Sequence, residues 1–224
     1  MNTQDTQRLQ EFLDKNPIIT IIPHTNPDGD AIGSSLGLYL FLKAQNHNVK
    51  VITPTDFPDF LKWMPTADDI LIYPNHEKEA QERIESSTLI FTLDFNNLLR
   101  AKPLTSFLEK ATAPFVMIDH HQQPDTYATI TYSNDKASST CELVYHTIVS
   151  LASEQVIDEA IATCLYTGIM TDTGGFRYSL TSPTTHRIVA TLLEKGANCT
   201  RISSEVFDSY SFDRLQLLGN VLKG

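Results

Sequence analysis

Two hydrophobic periods alternate along the chain. Leu9, Phe12 and Leu13 recur at helical spacing and predict a short amphipathic helix over 4–14. The run Ile18-Ile19-Thr20-Ile21-Ile22 is then unbroken and mostly β-branched, the pattern of a strand buried in a parallel sheet. It stops at Pro23-His24-Thr25-Asn26-Pro27-Asp28-Gly29-Asp30, where two prolines and a glycine forbid a longer strand. A helix is expected over 31–45, with Ile32, Leu36, Tyr39 and Leu40 on one face. Gly33 and Ser34 in its first turn would let a ligand come close to the backbone, at a helix end that favours anions.

Strands are predicted at 49–53 and 70–73, separated by an irregular stretch (54–65) whose Phe57, Phe60, Trp63 and Met64 read as packing over a sheet edge, with holding a base as the alternative. A charged helix over 77–85 leads to the buried strand 88–93, which stops at Asp94. A helix over 105–111 precedes Phe115-Val116-Met117-Ile118, a strand that runs directly into Asp119-His120-His121. Beyond it, Ser138-Ser139-Thr140 opens a helix over 141–151, and a second helix over 158–170 ends in Thr171-Asp172-Thr173-Gly174-Gly175-Phe176-Arg177-Tyr178. Ser and Thr before a helix are good N-caps, and capping is compatible with a phosphate contact from the same residues. A helix over 184–195 is stopped by Gly196, and one or two polar helices fill 200–224.

Strands alternating with helices predict an α/β protein with a mostly parallel sheet. Ligands of such sheets sit beyond the carboxyl ends of the strands, and three strands here deliver imidazole or carboxylate groups at those ends.

Composition narrows the chemistry. The 224 residues are 41% hydrophobic and 20% charged, which is ordinary globular usage. A formal charge of -10 weighs against long duplex nucleic acid as a partner, because such binding needs clustered Lys and Arg. A phosphate ligand would therefore need bound cations to hold it. Cys141, Cys164 and Cys199 form no Cys-x-x-Cys pair and read as reduced thiols, the first two as small core residues. Neither a signal peptide nor an apolar stretch near the roughly 20 residues of a membrane span is evident, so a soluble, cytoplasmic protein with no membrane partner is expected. His47, His76, His146 and His186 belong to no cluster and read as surface or packing residues.

The remaining polar groups at strand ends and loops are His24, Asp28, Asp30, Asp94, Asp119, His120, His121 and Asp172. Oxygen and imidazole donors without thiolate suit Mn²⁺ and related ions better than structural zinc. Carboxylates this close could not all stay ionised without cations. A two-metal centre, with ions about 3.5 to 4 Å apart, resolves that conflict and can activate a water for phosphoester hydrolysis.

The segments His24-Thr25-Asn26-Pro27-Asp28-Gly29-Asp30, Leu93-Asp94, Asp119-His120-His121 and Thr171-Asp172-Thr173 resemble, in order and spacing, the motifs of the DHH phosphoesterase family. Ser138-Ser139-Thr140-Cys141-Glu142 and Gly174-Gly175-Phe176-Arg177 further resemble its nanoRNase/pAp phosphatase subgroup, which trims very short oligonucleotides and dephosphorylates 3′-phosphoadenosine 5′-phosphate with Mn²⁺. The resemblance implies a three-layer α/β/α DHH domain and two divalent ions, most simply Mn²⁺. His24, Asp28 and Asp94 would hold one ion, and Asp30, Asp94, His120 and Asp172 the other. His121 would contact the scissile phosphate and help protonate the leaving group, with Asp119 supporting from behind. Arg177, Ser138 and Ser139 would contact substrate, a short oligonucleotide or nucleoside bisphosphate.

Members of the subgroup continue into a smaller C-terminal DHHA1-type domain with a Gly-Gly-Gly-His motif. The expected division here is a catalytic domain over 1–197 and a helical linker over 198–224, with that second domain absent and truncation the favoured explanation. Substrate preference is left open between nanoRNA, pAp and dinucleotides, as is a homodimer. The rival readings are a linear or cyclic dinucleotide phosphodiesterase and a non-catalytic nucleotide-binding module. A family II-type pyrophosphatase shares the motif logic but fits the Phe176-Arg177 region less well.

Overall fold

The computed structural model describes residues 1–208 and 212–223. Six parallel strands form one sheet in the order β3-β2-β1-β4-β5-β6. They are β1 (Ile18–Pro23), β2 (Asn48–Thr53), β3 (Leu71–Ile72), β4 (Leu89–Leu93), β5 (Phe115–Asp119) and β6 (Ile130–Ser133). Side chains alternate between the two faces of the sheet. Ile19, Ile21, Phe91, Val116 and Ile118 face the larger core, whereas Ile22, Ile90 and Phe115 face the smaller one.

The larger core is covered by α1 (Thr3–Leu13), α2 (Gly29–Ala44), α5 (Thr140–Leu151), α6 (Glu159–Asp172) and α7 (Pro183–Glu194). The smaller one lies under α3 (Glu77–Ser86) and α4 (Thr105–Lys110). The expected three-layer α/β/α arrangement is thus the one observed. The tail adds α8 (Cys199–Ser203), which packs Ile202 into the larger core, a π-helical turn Ser204–Asp208, and α9 (Phe212–Leu222). Residues 209–211 and Gly224 of the expected linker lie outside the described residues. Among the described residues no helix is long and apolar enough to cross a membrane.

α2 is buried on nearly every side, as a helix apolar all round must be. It crosses α6 at close range through two glycines: a Cβ at Gly33 would come 2.6 Å from the Cys164 carbonyl, and one at Gly37 2.7 Å from Leu165 Cδ2. This corrects the expectation for Gly33, whose missing side chain serves helix packing and not ligand approach. β6 is a strand that the hydrophobic pattern did not reveal, because only Ile130 of its four residues is buried at this sheet edge. The predicted strand 70–73 shrinks to two residues, with Tyr73 opening a 3-10 turn. α6 runs through Asp172, which therefore sits on the last turn of a helix and not on a loop.

Candidate metal centre

The site lies at the carboxyl ends of β1, β4 and β5, closed by the first turns of α2 and α5 and the last turn of α6. Asp28 caps α2: its Oδ1 accepts from the N–H of Asp30 at 3.0 Å and of Ala31 at 3.1 Å, and its exposed Oδ2 lies 3.9 Å from His24 Nε2. Asp30, in the first turn of α2, is buried. Its two oxygens each take a backbone N–H from the start of α5, from Thr140 at 2.6 Å and Cys141 at 2.9 Å. The carboxylate thus occupies the anion-favouring end of that helix.

Asp94 follows β4 in a left-handed conformation, φ 64°. Such an angle is uncommon outside glycine but best tolerated by Asn and Asp. Its oxygens face opposite ways. Oδ2 lies 3.3 Å from His24 Nε2, whereas Oδ1 lies 3.5 Å from His120 Nε2 and accepts from the Thr140 hydroxyl at 2.9 Å.

His120 Nε2 is also 3.4 Å from Asp172 Oδ2 and 3.9 Å from Asp30 Oδ2, and its buried Nδ1 has no hydrogen-bond partner among the described residues. His121 engages Asp119: its Nδ1 is 2.7 Å from Asp119 Oδ1, against 3.8 Å from Asp94 Oδ1, and its backbone N–H donates to Asp119 Oδ2 at 3.1 Å. Asp119 therefore supports His121, leaving Nε2 as the free nitrogen of that ring.

These distances fit ligands better than hydrogen bonds. Donor atoms fall into three overlapping groups, each within 4.8 Å: His24, Asp28 and Asp94; Asp30, His120 and Asp172; and Asp94, His120 and His121. Contacts of 3.3–3.9 Å are long for hydrogen bonds. They approach the ~3.0–3.4 Å between two donors that each sit about 2.1 Å from one ion.

Charge points the same way. Burial, then the charges of Asp94 and Asp172, push the Asp30 carboxyl well above its usual range. Asp172 is pushed up to about 6 by burial and by Asp94 and Asp28, against the pull of His120. Burial works against the Asp94 carboxylate too, yet the close contact and charge of His24 and the charges of the other imidazoles hold it below its ordinary value. Burial lowers His24, but Asp94 outweighs it and the imidazole is raised. His121 is raised chiefly by its bond to Asp119. Divalent cations would relieve this crowding of carboxylates. Sulfur takes no part: burial, reinforced by Asp30, keeps the Cys141 thiol protonated, and its Sγ donates to the Asp30 carbonyl at 3.6 Å.

The predicted metal-ligand residues and His121 with Asp119 thus converge. Ser138 and Ser139 do not join them. Both are buried: Ser138 Oγ donates to Glu142 at 2.6 Å, and Ser139 Oγ accepts the Glu142 N–H at 3.1 Å as the N-cap of α5. Their hydroxyls fasten the helix start and lie outside the ligand cluster. Arg177 is exposed on the loop after α6, its Nε donating to the Gly174 carbonyl at 2.6 Å.

Two contributors escaped sequence reasoning. Thr140 holds both Asp30 and Asp94, across 110 and 46 residues of chain. Gly168 of α6 lets Cys141 and Asp30 close in, since a Cβ there would come 2.2 Å from Cys141 Sγ and 3.1 Å from Asp30 Cα. The Ser-Ser-Thr start of α5 was visible as a cap, but not the carboxylates its spare N–H and hydroxyl groups serve.

The DHH family, N-terminal domain, matches residues 18–169. The bifunctional oligoribonuclease and PAP phosphatase NrnA of Thermus thermophilus is 31% identical over 207 residues, 91% of this chain and 58% of that protein. The cyclic-di-AMP phosphodiesterase PdeA of Listeria monocytogenes is 29% identical over 184 residues, 76% of this chain and 27% of that protein. An exopolyphosphatase-related protein of Bacteroides fragilis superposes with a TM-score of 0.96 at 40% identity, covering 100% of this chain and 66% of that one. The chain therefore spans little more than half to two thirds of the NrnA and exopolyphosphatase-related relatives.

Proposed function

This chain belongs to the DHH family, and from that premise we propose that it is a two-metal phosphoesterase acting on short oligonucleotides and 3′-phosphoadenosine 5′-phosphate. The observation that carries the reading is the divided carboxylate of Asp94, with Oδ2 toward His24 and Oδ1 toward His120. His24, Asp28 and Asp94 would hold one ion; Asp30, Asp94, His120 and Asp172 the other. The all-oxygen-and-imidazole donor set favours Mn²⁺ over structural zinc. When bound, such a pair supplies an activated water and neutralises charge developing on the phosphoryl oxygens.

The protein's own groups do the rest. Asp119 anchors His121 through Nδ1, so that Nε2 can carry a proton to the leaving oxygen, and a raised affinity for that proton suits an acid. Asp30, fixed by two α5 amides, would be held in place to bind its ion. Arg177 offers a fork of donors to a phosphate outside the centre. In this reading 1–197 is the catalytic unit and 198–224 a helical extension.

The test is hydrolysis of a labelled RNA dinucleotide, 3′-phosphoadenosine 5′-phosphate, cyclic di-AMP and pyrophosphate, each with Mn²⁺, Mg²⁺ or chelator. Mn²⁺-dependent turnover of the first two is expected, and no turnover of any substrate with either ion would overturn the reading. A cyclic-dinucleotide phosphodiesterase is the second reading, favoured by the Listeria relative; preferential turnover of cyclic di-AMP would select it.

A further inference from the structure

The loop that follows α6 carries side chains that the metal centre does not use. Gly174, Gly175 and Phe176 have φ values of 58°, 72° and 67°. Glycine takes such angles freely, but a phenylalanine there is an outlier. Its ring holds the backbone over: Phe176 meets Tyr166 edge-on at 6.0 Å between centroids, lies 5.9 Å from His186, and packs on the larger core. Thr173 ties the turn from inside. Its carbonyl accepts the N–H of Arg177 at 2.9 Å and of Tyr178 at 3.1 Å, and its hydroxyl accepts the N–H of Phe176 at 3.0 Å. Strained backbone persists where the surroundings over-determine it, and it concentrates at ligand clamps and active sites.

What this turn displays is one cation and one aromatic ring. The guanidinium of Arg177 makes a single hydrogen bond among the described residues, from Nε to the Gly174 carbonyl, so its terminal nitrogens are free. Tyr178 is 60% exposed. Its ring is seated on Gly174, where a Cβ would come 2.6 Å from Cζ and 2.9 Å from both Cε atoms. The ring is thus backed by main chain and open to solvent elsewhere, six residues from Asp172.

The geometry points to a nucleoside subsite in this loop, with Tyr178 as the stacking face for a nucleobase and Arg177 taking a phosphate oxygen beside it. The inference rests on the phosphoesterase reading, in which the scissile phosphate lies at the metal centre whose ligand Asp172 ends the helix that leads into this loop. A cation alone would serve an inorganic polyphosphate, to which an exposed ring adds nothing. A ring and a planar guanidinium that both rest on Gly174 match a ligand that has both a base and a phosphate. Stacking accepts any base, so the loop selects for the presence of a base and not its identity.

The test is fluorescence titration of the Mn²⁺-loaded chain with a non-cleavable phosphorothioate RNA dinucleotide carrying 2-aminopurine, whose emission is quenched on stacking. Tyr178→Ala should weaken binding about 5- to 100-fold and remove the quenching. Tyr178→Phe should keep both, and Tyr178→Leu should restore no quenching. An abasic analogue should bind wild type and Tyr178→Ala alike. Undiminished binding and quenching in Tyr178→Ala would overturn the inference, as would an equal loss for the abasic analogue, which would make Tyr178 a mere prop of the turn. The two readings fail separately. A wild type that binds and quenches but never cleaves the natural dinucleotide defeats only the hydrolase reading. Cleavage with a KM unmoved by Tyr178→Ala defeats only the subsite.

Discussion

Gly168→Ala sets two effects of opposite sign against each other at the floor of the metal centre. In the interior of a helix, alanine is favoured over glycine by up to about 1 kcal/mol. Here the added methyl would lie 2.2 Å from Cys141 Sγ and 3.1 Å from both Asp30 Cα and Oδ1. Cys141 has one side-chain torsion and is fully buried, and Asp30 is pinned by two amides, so neither can yield cheaply. Overpacking of this kind costs about 1–3 kcal/mol, and a contact this short belongs at the upper end. A net loss of roughly 2 kcal/mol is expected, with α5 and Asp30 pushed apart. Chemical denaturation reads the first effect and Mn²⁺ titration the second. Cys141→Ala supplies the control, because removing Sγ makes room for the methyl and the double variant should be more stable than additivity predicts by about 1 kcal/mol or more. A Gly168→Ala protein more stable than wild type, with strictly additive behaviour alongside Cys141→Ala, would refute the steric argument.

Further outcomes follow from the same contacts. Thr140→Val keeps the N–H to Asp30 but removes the hydroxyl from Asp94, and should weaken Mn²⁺ binding roughly 10-fold in calorimetry, with Thr140→Ser recovering it. Asp119→Asn should lower kcat on the order of 10²-fold while the metal content of the purified protein stays that of wild type, since Asp119 touches His121 and no expected ligand. The metal-free protein should melt higher near pH 5.5 than at pH 7.5. Asp172 (at about 6), Asp30, His24 and His121 all bind protons more tightly folded than unfolded, so their contribution is lost as pH rises. Asp94 acts oppositely, but only toward the ordinary carboxylate range and below it, and His47 and His146, both lowered by burial, offset part of the gain within this window. Saturating Mn²⁺ should reverse the trend, because binding requires those protons to leave.

Much of the site was legible because its residues interrupt strong patterns. His24, Asp94 and Asp119-His120-His121 each terminate an apolar run, and a polar group at that point of a parallel sheet has few roles other than rim chemistry. Asp172 was found through its motif, while its place on α6 depended on a helix that continued past the last periodic apolar residue. β6 was missed because an edge strand of four residues buries only Ile130 and leaves no period to read. The function of Thr140 was hidden for a different reason. A cap is a local signal, whereas the bonds to Asp30 and Asp94 are made by the tertiary fold. The same limit explains Ser138 and Ser139, whose hydroxyls looked available in the sequence but are consumed by Glu142. Gly33 shows that a glycine in a helix's first turn admits either a ligand or another helix, and only the position of α6 decides between them.

The central claim is that one carboxylate, Asp94, joins two metal sites. Its most direct test is the Mn²⁺ stoichiometry of the wild type and of Asp94→Ala, by calorimetry with parallel elemental analysis. Two ions per wild-type chain are predicted, with both sites weakened by the single substitution. One ion per wild-type chain, or two that persist unchanged in Asp94→Ala, would contradict it.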